Sequence, residues 1–555
     1  MENKKLLLAI VLSFVVLVIW TKVFPPTSRT QPTPEITEQQ VLQPEQKILP
    51  EQKPAPVEVP VQEDFEATIE TREQKIIIET SLFKAIWSNK GAVLKSWRLK
   101  EHVDDEGEPL ELISGRSAAI DRFPFILSTD DPSFDNLINT ALYTVSKPGL
   151  RLVDGQNGSI RFEYSQEDGT KVEKLFTFTD GRYIFDMEIN VWKNGMRIDP
   201  RLIWGPGIGN ASIASQGARI GISNGMAVSS AGKVQFRDER KPYRLENSAF
   251  SFVNWGAYND QYFTAMFFPS SQNSSARFIK EDRQIEIPGE DLPQTISYFF
   301  LSISIPDKAY IGPKEFDRLV ALGGNAKGVL RFGLFGAISE ILFRAMKAVY
   351  KTIPNWGLCI ILITLFVKII FFPLTYKSTQ SMSKMQELQP KIKAIKAKYK
   401  KAKKDMDQRK KMNEETMKIY KEHKVNPAGG CLPMLIQMPI FWGFFRLLMV
   451  TIEFRHAPFL LWITDLSVKD PIYITPVLMG ITQYISQKMT PTSADPSQQK
   501  MMMIMPVIMT IFFMNFSSGL VLYWLTNNVL QIGQQYIMNR IRQNKKRGTH
   551  GKKRK

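Results

Sequence analysis

The chain has 555 residues, a net charge of +18 and 44% hydrophobic residues, enough for two or three domains. Its charge is not spread evenly. Tyr376–Pro427 carries 16 Lys/Arg against 6 Asp/Glu, and Arg540–Lys555 carries nine basic residues and no acid, so the remainder is close to neutral. That pattern argues against a uniformly basic nucleic-acid binder. It fits two cytoplasmic segments flanking apolar blocks. The two cysteines, Cys359 and Cys431, lie in or beside apolar stretches and read as packing residues.

The chain opens with Lys4-Lys5 and an apolar run, Leu6–Trp20. No small-residue cleavage site follows, so residues 1–24 read as an uncleaved anchor with a cytoplasmic N-terminus. Residues 25–64 are rich in Pro, Gln and Glu and read as an extended tether beyond the membrane. From 65 to 306 the periodicity is that of strands. Alternation is visible in Lys75–Thr80, Phe83–Ser88 and Ile160–Tyr164, and Lys174–Thr179 and Arg182–Trp192 flank Asp180-Gly181, a hairpin turn of type I′. Asp168-Gly169 is a similar turn. A large all-β sandwich beyond the membrane is expected. Residues 307–354 form a linker and an amphipathic helix. In Ser339–Ile353 the residues Ile341, Leu342, Ala345, Met346, Val349 and Tyr350 share one face, fit either to lie on the membrane or to pack on the β domain.

Five apolar blocks follow and predict spans at 356–375, 431–452, 471–487, 501–516 and 518–538. With the anchor they make six transmembrane helices. An inside N-terminus then puts the β domain outside and both basic segments inside, including the tail 542–555. Within the basic loop, 376–427, Met385, Leu388, Ile392, Ile395 and Tyr399 step by three and four, and a second helix carries Met412, Thr416, Ile419 and Tyr420 on one side. This spacing predicts a cytoplasmic helical hairpin.

The usual enzyme motifs are missing. His102, His423, His456 and His550 are scattered, Ser381–Lys384 matches SxxK without supporting motifs, and Gly205–Gly209 reads as a β-domain loop. No cofactor and no metal is implied. The informative residues are charges inside apolar blocks. Lys368 lies about 9 Å from the cytoplasmic end of its block. An unpaired ammonium in lipid costs at least ~2.5–3.5 kcal/mol, so Lys368 either snorkels to the surface or faces a wet cavity. Thr364, Gln437, Gln483, Thr526, Asn527, Asn528 and Gln531 supply polar walls for such a cavity. Arg446 is a second buried charge, about 21 Å from the cytoplasmic end of its own block, with Glu453 as a possible partner.

Several motifs resemble the YidC/Oxa/Alb membrane insertase family. They are Lys424–Phe441 (KVNPAGGCLPMLIQMPIF), Trp356-Gly357, Phe372–Thr375, Leu388–Pro390, Ala457–Phe459, Gln487–Met489 and Ser518–Trp524. The anchor, tether and β domain resemble the Gram-negative form, whose periplasmic domain is a β-supersandwich similar to sugar mutarotases. The resemblance covers residues 355–541, the insertase core of five helices. It implies an inner-membrane chaperone that inserts and helps assemble membrane proteins, and possibly lipoproteins, alone or with the Sec translocon. It also implies nascent membrane proteins and ribosomes as partners, beside membrane lipids, and a hydrophilic groove open to the cytoplasm with one basic residue.

That residue is usually arginine. Lys368 stands at the aligned position, keeping the charge without the fork of donors. Tyr523, Trp524 and Arg446 join the groove set, Arg446 as a source of guanidinium character. Two other functions are weighed: a solute transporter or channel, which would need internal repeats, and an anchored periplasmic carbohydrate-active protein, which would need paired carboxylates or histidines.

Overall fold

The computed structural model describes residues 72–104, 106–209, 224–239, 248–285, 294–399, 405–423, 425, 432–490 and 496–552. The anchor and tether lie outside the described residues, as does Cys431.

The N-terminal half is built from three sheets among the described residues. The largest has ten strands and runs from Lys233–Asp238 at one edge to Thr144–Val145 at the other. Next to the Thr144–Val145 edge, Asn157–Ser165, Lys171–Thr179 and Ile184–Lys193 form an antiparallel meander. Two five-stranded sheets flank it, one centred on Phe83–Ser88 and one on Gln294–Ser304. Aromatic rings fill the core: Phe83 stacks on Trp97 at 4.0 Å, and Trp87 meets Phe176 at 4.4 Å. The domain is not purely β. Helices at Gly115–Ala119, Pro132–Thr140 and Phe316–Ala321 interrupt it. The second of these starts at an Asp131 cap followed by Pro, a local signal that strand periodicity does not weigh.

The Asp180-Gly181 turn differs from the two-residue type I′ loop expected. Only Gly181 takes positive φ (76°), and the next strand begins at Ile184. Asp180 serves another purpose: its carboxylate accepts from Ser81 N at 2.7 Å and Gly155 N at 3.3 Å, tying the hairpin to its neighbours.

Alternation along Lys171–Thr179 buries Val172, Lys174, Phe176 and Phe178 on one side, which places a lysine in the core. Its Nζ donates to three backbone carbonyls, Gly91 (2.7 Å), Phe125 (2.9 Å) and Ala92 (3.2 Å). The amine thus bridges sheet to loop in the middle of an apolar cluster.

The C-terminal half is helical. The helices are α1 (Gly336–Tyr350), α2 (Trp356–Lys398), α3 (Met406–Glu422), α4 (Leu432–Val450), α5 (Ile474–Met489), α6 (Pro496–Phe513) and α7 (Ser518–Lys552). α2 is one continuous rod of 43 residues that carries Pro373 and Pro390 inside it. α3 folds back on its end, where Met385, Leu388, Ile392 and Val425 bury together with Ile419 and Tyr420 beside them. Lys398 and Tyr399 both bond Glu415. α7 continues into the basic segment, and Arg542 donates to Ser383 Oγ of α2 at 2.8 Å.

α1 buries Ser339, Leu342, Phe343 and Met346. Ile341, expected on that face, is 67% exposed, and Phe343 takes its place against Phe316, Trp356 and Phe454. The shift follows from α1 packing on α4, where Ser339 Oγ donates to Gly443 O at 3.0 Å.

Two glycines mark close approaches. A Cβ at Gly357 would come within 2.0 Å of the Phe459 ring, and one at Gly480 within 1.9 Å of Thr510 Oγ1 on α6. The missing side chain at each position leaves room for the neighbour's ring or hydroxyl against the helix backbone.

Burial pushes the Lys174 amine down to about 7, whereas an unfolded lysine titrates near ~10.4. Between those values the unfolded chain binds the extra proton, so this lysine's contribution to stability rises with pH. In detergent, the wild-type melting temperature is expected to gain on that of Lys174→Met by a few degrees between about pH 7 and pH 10. A gap that stays constant across the range rejects this reading.

Candidate functional site

The helical half is inside out by the standard of a soluble protein. Large apolar side chains face outward on several helices: Ile369 and Phe366 on α2, Ile481 and Ile485 on α5, Ile511 and Phe512 on α6, with Ile369 at 62% and Ile511 at 63% exposure. Polar side chains point inward, with Thr364 at 2% and Gln535 fully buried. Water would make such a surface a liability. Hydrocarbon reverses the preference, because apolar groups can face lipid while amides and hydroxyls must satisfy each other. Among the described residues one helix, Trp356–Lys398, is long and apolar enough to cross a membrane; Gln437–Val450 and Met501–Phe513 are shorter apolar stretches.

The inward polar groups meet along α7. Lys368 Nζ, from α2, donates to Gln531 Oε1 at 2.9 Å. Gln437, from α4, donates to the Tyr523 hydroxyl at 3.0 Å and to Asn527 Oδ1 at 3.4 Å. Asn528 donates to Met479 O of α5 at 3.1 Å. One helix therefore gathers polar contacts from three others. Lys368 is half-buried, and no carboxylate lies within ion-pair distance of it among the described residues. Its partner is a neutral amide.

The remaining site candidates divide. Thr364 is buried and donates to Ile360 O of its own helix at 2.6 Å, so it contributes little to any neighbour. Thr526 is buried on α7. Tyr523 stacks on Phe444 at 4.4 Å, and Trp524 packs against Phe441 and Phe513. Gln483 Oε1 is buried without a protein partner.

Arg446 is placed elsewhere. It donates to Arg331 O and lines a cavity with β-domain residues, apart from Lys368 and Gln531. Glu453, suggested as its partner, instead accepts from Phe316 N at 3.3 Å. Four residues before the end of α4, Arg446 has reached the level of the β domain, so it adds no guanidinium to the Lys368 cluster.

Gln534 and Gln535 were not among the candidates. Both are buried, with Gln534 Nε2, Gln534 Oε1 and Gln535 Oε1 unbonded by protein. The signal was available: 527, 531 and 534/535 fall on one face of a 3.6-residue helix.

Some of the motifs singled out in sequence touch one another, and others dock on neighbouring loops. Gly357 opens α2 against Phe459, Ser518 N donates to Val468 O at 2.6 Å, Gly519 N donates to Leu466 O at 2.9 Å, and Tyr523 takes the bond from Gln437.

A helical bundle with an apolar exterior and a polar inner seam, joined to a β domain, defines a membrane protein with a large extramembrane domain. Two family models match nearly the whole described chain: "YidC periplasmic domain" over residues 75–345 and "60Kd inner membrane protein" over 348–546. The membrane protein insertase YidC of Geotalea daltonii is 35% identical over 554 residues, 97% of this chain and 99% of the relative. That of Syntrophus aciditrophicus is 35% identical over 484 residues, 84% of this chain and 85% of the relative. A crystal structure of an active YidC insertase is similar at 19% identity and a TM-score of 0.36, covering 84% of this chain and 93% of that one. The chain belongs to the YidC family of inner-membrane protein insertases.

If the Lys368–Gln531 contact is a working bond, Lys368→Met and Gln531→Leu are coupled. The double variant should cost less than the sum of the single ones in unfolding free energy, by roughly 0.5–3 kcal/mol. Additive losses would show that the two side chains do not act on each other.

Proposed function

We propose that this insertase receives the polar part of a client in the seam around Lys368 and releases its apolar part to lipid. The Lys368–Gln531 contact carries the reading. An ammonium held by a neutral amide keeps its full charge available, so it can attract an acidic segment briefly without the grip of an ion pair. Gln483, Gln534 and Gln535 add unsatisfied amide groups that water or a passing backbone can use. Transfer of apolar surface to hydrocarbon, at ~25 cal/mol per Å², supplies the driving force, and neither ATP nor a metal is required. The family is one of insertases and not of enzymes.

The same reading assigns six membrane spans with the N-terminal anchor included, both termini in the cytoplasm and the β domain in the periplasm. The α2–α3 pair becomes a cytoplasmic hairpin, and 355–541 the insertase core. Exposed apolar residues on α2, α5, α6 and α7 support lipid contact on those helices. The basic charge of the α2–α3 segment and of the tail supports the inside assignment. It also suits contact with ribosomal RNA or anionic lipid. The Sec translocon is a further partner under this proposal, in line with the family resemblance.

The test is insertion of a small membrane protein with an acidic translocated tail into proteoliposomes. Wild type and Lys368→Arg should insert equally well, while Lys368→Ser and Lys368→Glu lose activity by about tenfold or more, the effect of removing one charged contact. Equal insertion by all four would remove Lys368 from the mechanism.

A further inference from the structure

A cavity of about 230 Å³ lies between the β domain and α4. Arg446 reaches it from α4, Asn259, Asp260 and Lys314 from the β domain, and Arg331 from the segment before α1. Their pairing is incomplete. Arg331 is committed to Asp238 through two bonds of 2.5 and 3.2 Å. Lys314, buried, donates to Asp260 O at 2.7 Å and has no carboxylate within ion-pair distance among the described residues. Arg446 gives one N–H to Arg331 O at 2.5 Å, and its Nε is buried without an acceptor.

The acceptors are equally unmatched. Asp260 Oδ1 takes the N–H groups of Tyr262 (2.7 Å) and Phe263 (2.6 Å), leaving Oδ2 buried and unbonded. Both polar atoms of the buried Asn259 side chain also lack protein partners. An unmatched buried polar group costs on the order of 1–3 kcal/mol. Here four such atoms belong to three residues, Asn259, Asp260 and Arg446, that line one space.

We propose that this cavity binds a glycerophosphodiester head group, with the phosphate against Lys314 and Arg446 and a hydrogen-bond-donating terminus, ammonium or hydroxyl, against Asp260 and Asn259. A bare anion would leave the acidic side unmatched; a diester with a donor terminus completes both. The source favoured is a membrane phospholipid, an assignment that rests on reading α4 as a span. Arg446 then lies about 6 Å below the end of α4 at Val450, near head-group depth. Leu334, three residues beyond Arg331, and Ile341 on α1 are exposed apolar side chains available to acyl chains.

The full-length protein in detergent is followed by native mass spectrometry with dioleoyl phosphatidylethanolamine, phosphatidylglycerol and phosphatidylcholine, and titrated with soluble glycerophosphoethanolamine. The two lipids with donor head groups should bind about tenfold tighter than phosphatidylcholine, which has none, and Arg446→Gln should weaken both by a similar factor. Asp260→Asn replaces the free acceptor by a donor. It should keep phosphate binding and erase most of the preference over phosphatidylcholine, an effect that a general loosening of the fold would not give. Arg446→Lys, which keeps the charge, should retain most of the binding. Equal affinity for all three lipids, or unchanged binding in Arg446→Gln, overturns the proposal. Soluble glycerophosphoethanolamine binding as tightly as the lipids overturns the membrane source. None of these variants touches the Lys368 seam, so this proposal and the insertion mechanism fail separately.

Discussion

The helical half depends on one constraint: its polar side chains have to satisfy each other, because its outward surface is apolar. α7 is where they do so. It receives Lys368 of α2 through Gln531, Gln437 of α4 through Tyr523 and Asn527, and gives Asn528 to a carbonyl of α5. In a soluble bundle the same role falls to apolar packing. Here dispersion at glycine crossings such as Gly480 and hydrogen bonds along one helix share it. The seam is therefore structural: Gln437, Asn528 and Gln531 tie the helices together, while Gln483, Gln534 and Gln535 keep spare bonding capacity.

The β domain is not a separate bead. Gln261 donates to Met449 O at 2.9 Å, Arg455 to Val103 O at 2.6 Å, and Phe316 N to Glu453. These bonds ring the end of α4 and the loop after it. They explain why Arg446 belongs to the β-domain junction despite its place in an apolar block: a guanidinium one turn from the helix end finds the Arg331 carbonyl there.

Much of this was legible in the sequence. Strand alternation located most of the three-stranded meander, and heptad steps located the α2–α3 contact, because both patterns are repeated many times and rest on geometry alone. The choice of which polar residues share a seam was less legible. Thr364 fits the polar pattern yet bonds only its own helix, while Gln534 and Gln535 are buried on α7 without standing out in the sequence. Spacing along α7 gave the face, but the direction that face takes depends on which neighbour packs there. Lys174 shows the same limit. Its strand register puts it in the core, yet only the three-dimensional fold brings three carbonyls to its amine. The Asp131 cap and the helix it starts were local signals outweighed by the surrounding strands.

The continuity of α2 has a mechanical consequence. Lys368 and the α3 contact sit on one rod, separated by roughly 25 Å at Met385 and roughly 45 Å at Lys398, at 1.5 Å per residue. A load applied where α3 folds back is applied with a long lever arm. The rod is not equally stiff along that arm, since Pro373 and Pro390 each remove a backbone bond. Bending concentrates at those two joints, and Pro373 lies between the load and Lys368. The rod thus carries a compliant coupling between the α3 contact and Lys368, so that a jolt at one end reaches the seam as a gentle tilt.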